Sequence, residues 1–416
     1  MLKILVNSYT CCPNMGSEQG MGWNWITSLA MTGEVELFVI SEGEYRDQCE
    51  ASSKDLPIHW YWNPVSEATR NKCWNQGNWS FYPLYAKWQQ KTANIARDIC
   101  IKHHIDILHQ LNMIGFREPG YLADVSIETG IPLVWGPIGG LKMFPLEYAK
   151  DGGIKMRTFT WLKNTITKWQ IKHHKRVIRT LKQSSLLISS IPDSYNAIKL
   201  YHGLESYIIP ETGCFISKIK DDENNEDNRF LKESLTILWV GKFDYRKRID
   251  IAIKTISSLT EIPIVLKVFG TGNEQQINRI KRLTISLGIE DKIIFMGACP
   301  NKIVTQEMRK ADLFFFTSVN EDTSTVVLEA ISNKLPVLCF DACGMSAVID
   351  ESVGKKIPLT NPKQSIKYFS DAILSFYNNR KQLIECSNNC SNRSLELSWE
   401  NKAKNVLNLY NEALKQ

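Results

Sequence analysis

Four charged residues in the second half of the chain have types and positions suited to chemistry: Lys242, Lys247, Glu321 and Glu329. The two lysines flank a turn, VGKFDYRKR, that follows the apolar run TILWVG at 236–241. In an open parallel sheet the carboxyl ends of the strands face the ligand crevice, so cations on such a turn are placed to neutralise a diphosphate. Exposed loop lysines are the plainer alternative. The two glutamates lie in ADLFFFTSVNEDTSTVVLEAISNKLPVLCFDAC, 311–343, which reads as a buried strand, a polar turn, a helix and a second buried strand. Ser318, Glu321 and a helix start near Ser324 then fall at a strand's carboxyl end, where free first-turn amides favour an anion. Glu329 lies about a turn further in, directed to the crevice if Val326, Val327, Leu328 and Ile331 pack on the sheet. Taken alone, the glutamates read more readily as a helix-dipole acid, Glu321, and a solvated residue, Glu329.

The first half offers a glycine turn and a histidine. LKILVNSY (2–9) reads as a buried strand and runs into TCCPNMGSEQGMGW, where Gly16, Gly20 and Gly22 do not spell the dinucleotide fingerprint. Glycines there would let the backbone approach phosphate or sugar; a flexible loop before a capped helix explains them as well. His109 sits in DILHQLN (106–112), near a strand's carboxyl end, placed either to bond a substrate hydroxyl or to be satisfied by backbone in the core. Arg117 and Glu118, in the following GFREPG, are nearby polar candidates.

These residues need a scaffold of repeated strand and helix. EVELFVIS (34–41), IHWYWN (58–63), IPLVWGPIGG (131–140) and SLLISS (185–190) continue the strand series, and IVLKVFG and KIIFMG extend it in the second half. Alternation of this kind predicts two doubly wound α/β domains, which suits 416 residues better than one core. The polar stretch from Ser217 to Ser234, with DDENNED at its centre, predicts an exposed insert near the domain junction. SWENKAKNVLNLYNEALK predicts a C-terminal helix capped by Ser398, with Ala403, Val406, Leu407, Tyr410 and Leu414 on one side.

Composition narrows the classes. Charged residues make up 23% and hydrophobic ones 43%, and a net charge of +6 is too mild to imply nucleic acid. Eleven cysteines, without a CxxC pair, fit a reducing cytosol better than a disulfide framework or a zinc site. No apolar run approaches the roughly 20 residues of a membrane span. Charge is nevertheless uneven: Lys150 to Lys182 holds ten Lys or Arg and the single acid Asp151, interleaved with Phe159, Trp161, Leu162, Ile166, Trp169, Val177, Ile178 and Leu181. That pattern predicts a basic amphipathic helix for an anionic membrane surface, with a solvated helix face as the alternative.

In this order and spacing the pieces resemble the family 4 retaining glycosyltransferases of GT-B fold, across nearly the whole chain. The resemblance is carried by GSEQGMGW, HQLNMIGFREPG, WGPIGG, VGKFDYRKR, FGTGNE and, above all, EDTSTVVLEA, with Glu321, seven residues, then Glu329. It implies two Rossmann-like domains facing across a cleft: an acceptor-side domain over 1–212, with the helix at 397–416 packing back on it, and a nucleotide-sugar domain over 213–396. It implies that Lys242 and Lys247 bind the donor diphosphate, Glu329 the ribose and Glu321 the transferred sugar. Amides from Thr323, Ser324, Thr325 and Val326 would meet the β-phosphate, His109 would lie near the anomeric centre, and Gly16, Gly270 and Gly272 would border the donor. Glu18, Arg117 and Glu118 become acceptor-side candidates. The implied activity is sugar transfer from a UDP- or GDP-linked donor to a glycan or lipid-linked acceptor in polysaccharide or glycolipid assembly. No cofactor or metal is expected, and the expected place is the cytoplasm, at the inner face of the membrane.

Two departures bear on the donor: the family usually has arginine where Lys242 stands, and a Gly-Phe-Gly type turn where Asp322, Thr323 and Ser324 stand. A lysine lacks the bidentate fork, and Asp322 adds negative charge near phosphate. The competing class is a non-catalytic glycosyltransferase-like subunit. An oxidoreductase is a distant third, disfavoured by the absent fingerprint.

Overall fold

The computed structural model describes residues 1–73, 80–216 and 227–415. It divides into two compact units, one of 1–142, 165–211 and 399–416, the other of 143–164 and 212–398.

The first unit is a parallel sheet of seven strands: β1 (Leu2–Ser8), β2 (Val35–Ser41), β3 (Ile58–Trp62), β4 (Ile107–Asn112), β5 (Leu133–Ile138), β6 (Leu186–Ser189) and β7 (Tyr207–Ile208). They lie in the order β3-β2-β1-β4-β5-β6-β7. The central strands are buried on both faces, which is why they read as continuous apolar runs. One covering layer holds the helix Ser17–Ala30 and the C-terminal helix Trp399–Ala413, with Trp25 buried and its ring edge-on to Trp399. Ala403, Val406, Leu407 and Tyr410 face this core as the spacing predicts, whereas Leu414 is exposed. A long helix runs over Phe81–His103, with Phe81, Tyr85 and Trp88 buried.

The second unit is a six-stranded parallel sheet: β8 (Leu235–Val240), β9 (Ile264–Phe269), β10 (Ile293–Gly297), β11 (Leu313–Phe316), β12 (Val337–Phe340) and β13 (Gly354–Ile357). Its order, β10-β9-β8-β11-β12-β13, reverses direction between β8 and β11. Such a switch point leaves a crevice between the loops that leave two neighbouring strands in opposite directions. Here those loops are the turn after β8, with Lys242 and Lys247, and the turn after β11, with Glu321.

Three expectations about local structure change. The basic segment is two helices, Gly153–His173 and Lys175–Gln183, separated at His174, whose ring accepts from the Val177 amide. The polar insert ends earlier than Ser234: 217–226 lie outside the described residues, but Asp227–Leu231 is a short 3₁₀ helix. There Phe230 is buried and Arg229 donates to the Arg309 carbonyl and the Ser387 hydroxyl. The edge strand β13, GKKI, was not anticipated, because a half-buried edge with two lysines lacks the apolar signal of a central strand. The ten cysteines described are free thiols.

Candidate functional site

The site is built on two turns of the second unit. β8 ends at Val240, and the chain turns through Gly241 to Arg248 before the helix Ile249–Ser257. Asp244 organises this turn: its Oδ1 accepts from the amides of Arg246 and Lys247 at 2.9 and 3.1 Å. Arg248 closes the turn in the left-handed region, at φ 49°, with its guanidinium buried. It is held there by Asp250 and Asp151 and faces the rings of Tyr148 and Tyr245. Those carboxylates offset burial and hold the guanidinium charged.

The second turn is knitted to the first. Trp239 Nε1 donates to Thr317 Oγ1, which donates to the Lys247 carbonyl at 2.7 Å. The Val319 amide donates to the Arg246 carbonyl at 2.9 Å, and Ser318 Oγ to the same oxygen at 3.2 Å. This places Glu321 against the cations. Its Oε1 lies 2.8 Å from Lys247 Nζ and 3.8 Å from Arg246, and it also accepts from Ser318 Oγ at 3.1 Å. Both Lys247 and Glu321 are half-buried, so the pair is shielded from full solvent screening. Lys242 is exposed and makes no ion pair among the described residues.

Beyond Glu321 the chain enters the helix Thr325–Ser332. Ser324 is its N-cap without a side-chain cap hydrogen bond, so the first-turn amides receive no acceptor from it. Val327, Leu328, Ala330 and Ile331 pack on the core with the half-buried Val326 against them, while Glu329 is half-buried on the other side, as the periodicity requires. Glu329 accepts from Asn301 Nδ2 at 3.4 Å, and burial pushes its carboxyl above the ordinary range.

The flanking glycines have packing reasons. Gly270 adopts φ +150°, and a Cβ on it would strike the Gly241 carbonyl, so the loops after β8 and β9 touch backbone to backbone. Gly272 lies where a Cβ would press on Gln276 and Phe243. Sequence reasoning missed Arg246 and Gly344. Gly344 abuts the Asp322–Thr323 turn so closely that a Cβ would come within 2.7 Å of Thr323 Cα. The signal for Arg246 was present in VGKFDYRKR, where only the flanking lysines were taken as candidates.

The candidates in the first unit are placed differently. His109 does not face a crevice: it is fully buried, between Gly136 and Tyr410 of the C-terminal helix. A carbonyl can only accept, so Nε2 carries the proton and donates to Gly136 O at 2.8 Å, while Nδ1 accepts from the Tyr410 hydroxyl at 2.6 Å. Burial lowers its pKa to about 4, against the raising effect of the Gly136 carbonyl. The core alternative for His109 is therefore the observed one. Glu118 is buried in a bidentate pair with Arg176, and Arg117 donates to Gln170 and Thr167 on the basic helix. Gly16 is exposed at the N-cap of Ser17–Ala30, and the Glu18 carbonyl accepts from Asn112, the last residue of β4.

Two parallel sheets of this strand order define a chain of GT-B fold. Solved structures agree: a glycosyltransferase from Rickettsia africae superposes with a TM-score of 0.65 at 13% identity, covering 100% of this chain and 99% of that one. Alr3699/HepE of Anabaena, in complex with UDP, superposes with a TM-score of 0.62 at 13% identity, covering 99% and 100%. Residues 220–393 match the family described as Glycosyl transferases group 1. An uncharacterised glycosyltransferase, MJ1607, of Methanocaldococcus jannaschii is 29% identical over 43% of this chain and 45% of its own length. The teichuronic acid biosynthesis glycosyltransferase TuaC of Bacillus subtilis, a putative assignment in its own description, is 25% identical over 48% of each chain. The chain spans about half the length of these curated relatives. Over residues 220–393 the chain is similar to the group 1, or family 4, glycosyltransferases.

Proposed function

We propose that the chain transfers a sugar, with retention, from a nucleoside-diphosphate donor to a glycan or lipid-linked acceptor. The Lys247–Glu321 pair at the switch point carries this reading. Lys247, Arg246 and the amides at the start of Thr325–Ser332 supply positive charge where a departing diphosphate would gather negative charge, the arrangement electrostatic catalysis requires. Glu321 retains acceptor capacity beyond the bonds from Ser318 and Lys247, which suits a sugar hydroxyl. Glu329, with one long hydrogen bond from Asn301, suits the ribose hydroxyls. In the step proposed, the bond from the anomeric carbon to the phosphate oxygen breaks, and the acceptor oxygen bonds the same face. The acceptor proton passes to the leaving phosphate. These charges come from the chain itself, so no cofactor is part of the proposal.

UDP is favoured as the nucleotide, since Alr3699/HepE, of the same fold, was solved with UDP and with UDP-glucose. Polysaccharide or glycolipid assembly is the setting, with the 150–182 segment turned to an anionic membrane. Asp322 favours a second reading: its carboxylate adds to the field at Arg246, and a binding subunit without turnover would tolerate that charge.

Thermal unfolding with UDP, GDP and ADP in turn, beside Glu329→Ala, tests the site. A nucleotide at about 100 times its Kd adds roughly 2.7 kcal/mol. Selective stabilisation by UDP, lost in the variant, is expected. Stabilisation by none of the three would overturn the donor site, and binding without hydrolysis or transfer would favour the binding subunit.

A further inference from the structure

The helix Gly153–His173 is amphipathic in the reverse of the usual sense. Its inward stripe is Met156, Thr160, Asn164, Thr167 and Ile171, three of the five polar. That stripe is satisfied by hydrogen bonds: Asn164 exchanges two with the Phe144 backbone, and Arg117 reaches Thr167 and Gln170. The large apolar residues point outward. Ile154 is 82% exposed, Phe159 64%, Trp161 58%, Leu162 51%, Ile166 46% and Trp169 59%. At about 100° per residue these six centre on the side opposite the buried stripe. Arg157 and Lys168 flank them on one side and Lys163 on the other, with Lys155 and Lys172 toward the ends.

A solvated face does not require this arrangement, because exposing two tryptophans and a phenylalanine on one helix forgoes burial that the chain has the residues to achieve elsewhere. The following helix shows the ordinary pattern. Lys175–Gln183 buries Val177 and Leu181, and both of its arginines pair with carboxylates of the first unit, Arg176 with Glu118 and Arg179 with Asp124.

We infer that the outward face of Gly153–His173 lies in the interface of an anionic lipid membrane, with Phe159, Trp161, Leu162, Ile166 and Trp169 at the acyl boundary. Arg157, Lys163 and Lys168 reach the headgroups. The charge and the aromatics point to this occupant together: a rim of cations around an apolar band matches a surface that is anionic outside and apolar beneath. No helix among the described residues is long and apolar enough to cross a membrane, so this contact lies along the surface. The inference sharpens the membrane part of the proposed function by assigning it to one helix face, and it needs neither donor nor acceptor to be tested.

The test is sedimentation of the full chain with phosphatidylcholine vesicles and with vesicles carrying phosphatidylglycerol, at low and high salt. Expected is binding to the anionic vesicles that weakens with salt. Phe159→Ser with Trp161→Ser and Trp169→Ser should weaken it more than tenfold without lowering Tm, since all three are exposed. Arg157→Gln with Lys163→Gln and Lys168→Gln should remove the preference for anionic lipid, at roughly fivefold per charge. Binding to neither vesicle, or binding unchanged in both variants, would overturn the inference. So would a soluble dimer that the serine variant dissociates, which would make the face an interface between copies. UDP stabilisation measured on the same samples keeps this result separate from the donor site.

Discussion

Glu321 and His109 occupy comparable places in two sheets of the same strand order, and the structure uses them in opposite ways. Each lies on or just beyond a strand next to the switch point of its sheet. Glu321 sits on a half-buried turn, paired with Lys247 and within reach of Arg246. His109 sits inside β4 with both ring nitrogens used by Gly136 and Tyr410. A switch point provides a crevice, but a side chain enters it only from a loop beyond the strand end. A strand residue alternates between covered faces. His109 points to the face covered by the C-terminal helix, which completes its hydrogen bonds and leaves none for a substrate.

The contrast breaks if either residue behaves like the other. Lys247→Ala and Glu321→Ala should each reduce sugar transfer from the nucleotide donor by about 100-fold or more, as expected for removing one group that stabilises a developing charge. Tm should fall modestly, because a half-buried pair contributes somewhat more than the roughly 1 kcal/mol of an exposed one while the remaining partner keeps access to water. Turnover at the wild-type level in either variant would remove the pair from the chemistry.

His109→Ala should do the reverse. It leaves the Tyr410 hydroxyl and the Gly136 carbonyl buried without partners and opens a cavity, a loss of roughly 2 to 4 kcal/mol. Urea unfolding reads this directly, and the specific activity of the folded fraction should stay within about threefold of wild type. A large loss of turnover with unchanged stability would return His109 to the reaction.

How far the sequence could be read follows the range of the interactions. Strands buried on both faces announce themselves in runs such as LKILVNSY and ADLFFF, and the periodicity of Thr325–Ser332 located the buried side that turns Glu329 outward. Lys247 and Glu321 were singled out because each lies just after such a run. Arg246 and Gly344 were not, since their importance lies in contacts with a turn remote in sequence: Val319 bonding the Arg246 carbonyl, and Thr323 pressed on Gly344. His109 could not be resolved locally, because its partner Tyr410 comes 301 residues later. The basic segment showed its composition but not its direction, as only the packed structure reveals that Thr160 and Thr167 face inward while the tryptophans face out.

Acid offers a finer test, because the two units carry titratable groups shifted in opposite senses. His109 falls from 6.5 to about 4 on folding, so between those values the unfolded chain binds more protons. Its contribution is therefore lost as pH falls, by about 1.4 kcal/mol at pH 5.5. Glu329 is raised by burial, so what it contributes is present at low pH and lost as pH rises through its folded pKa. Urea unfolding between pH 7 and 5 should show the acid loss in the wild type and a flatter profile in His109→Gln. Glu329→Gln should keep the loss and gain stability at neutral pH, where the native carboxylate is desolvated, while binding UDP more weakly. If His109→Gln retains the full acid slope, the buried neutral imidazole is not its source, and the distinction between a core histidine and a ligand-facing acid loses its support.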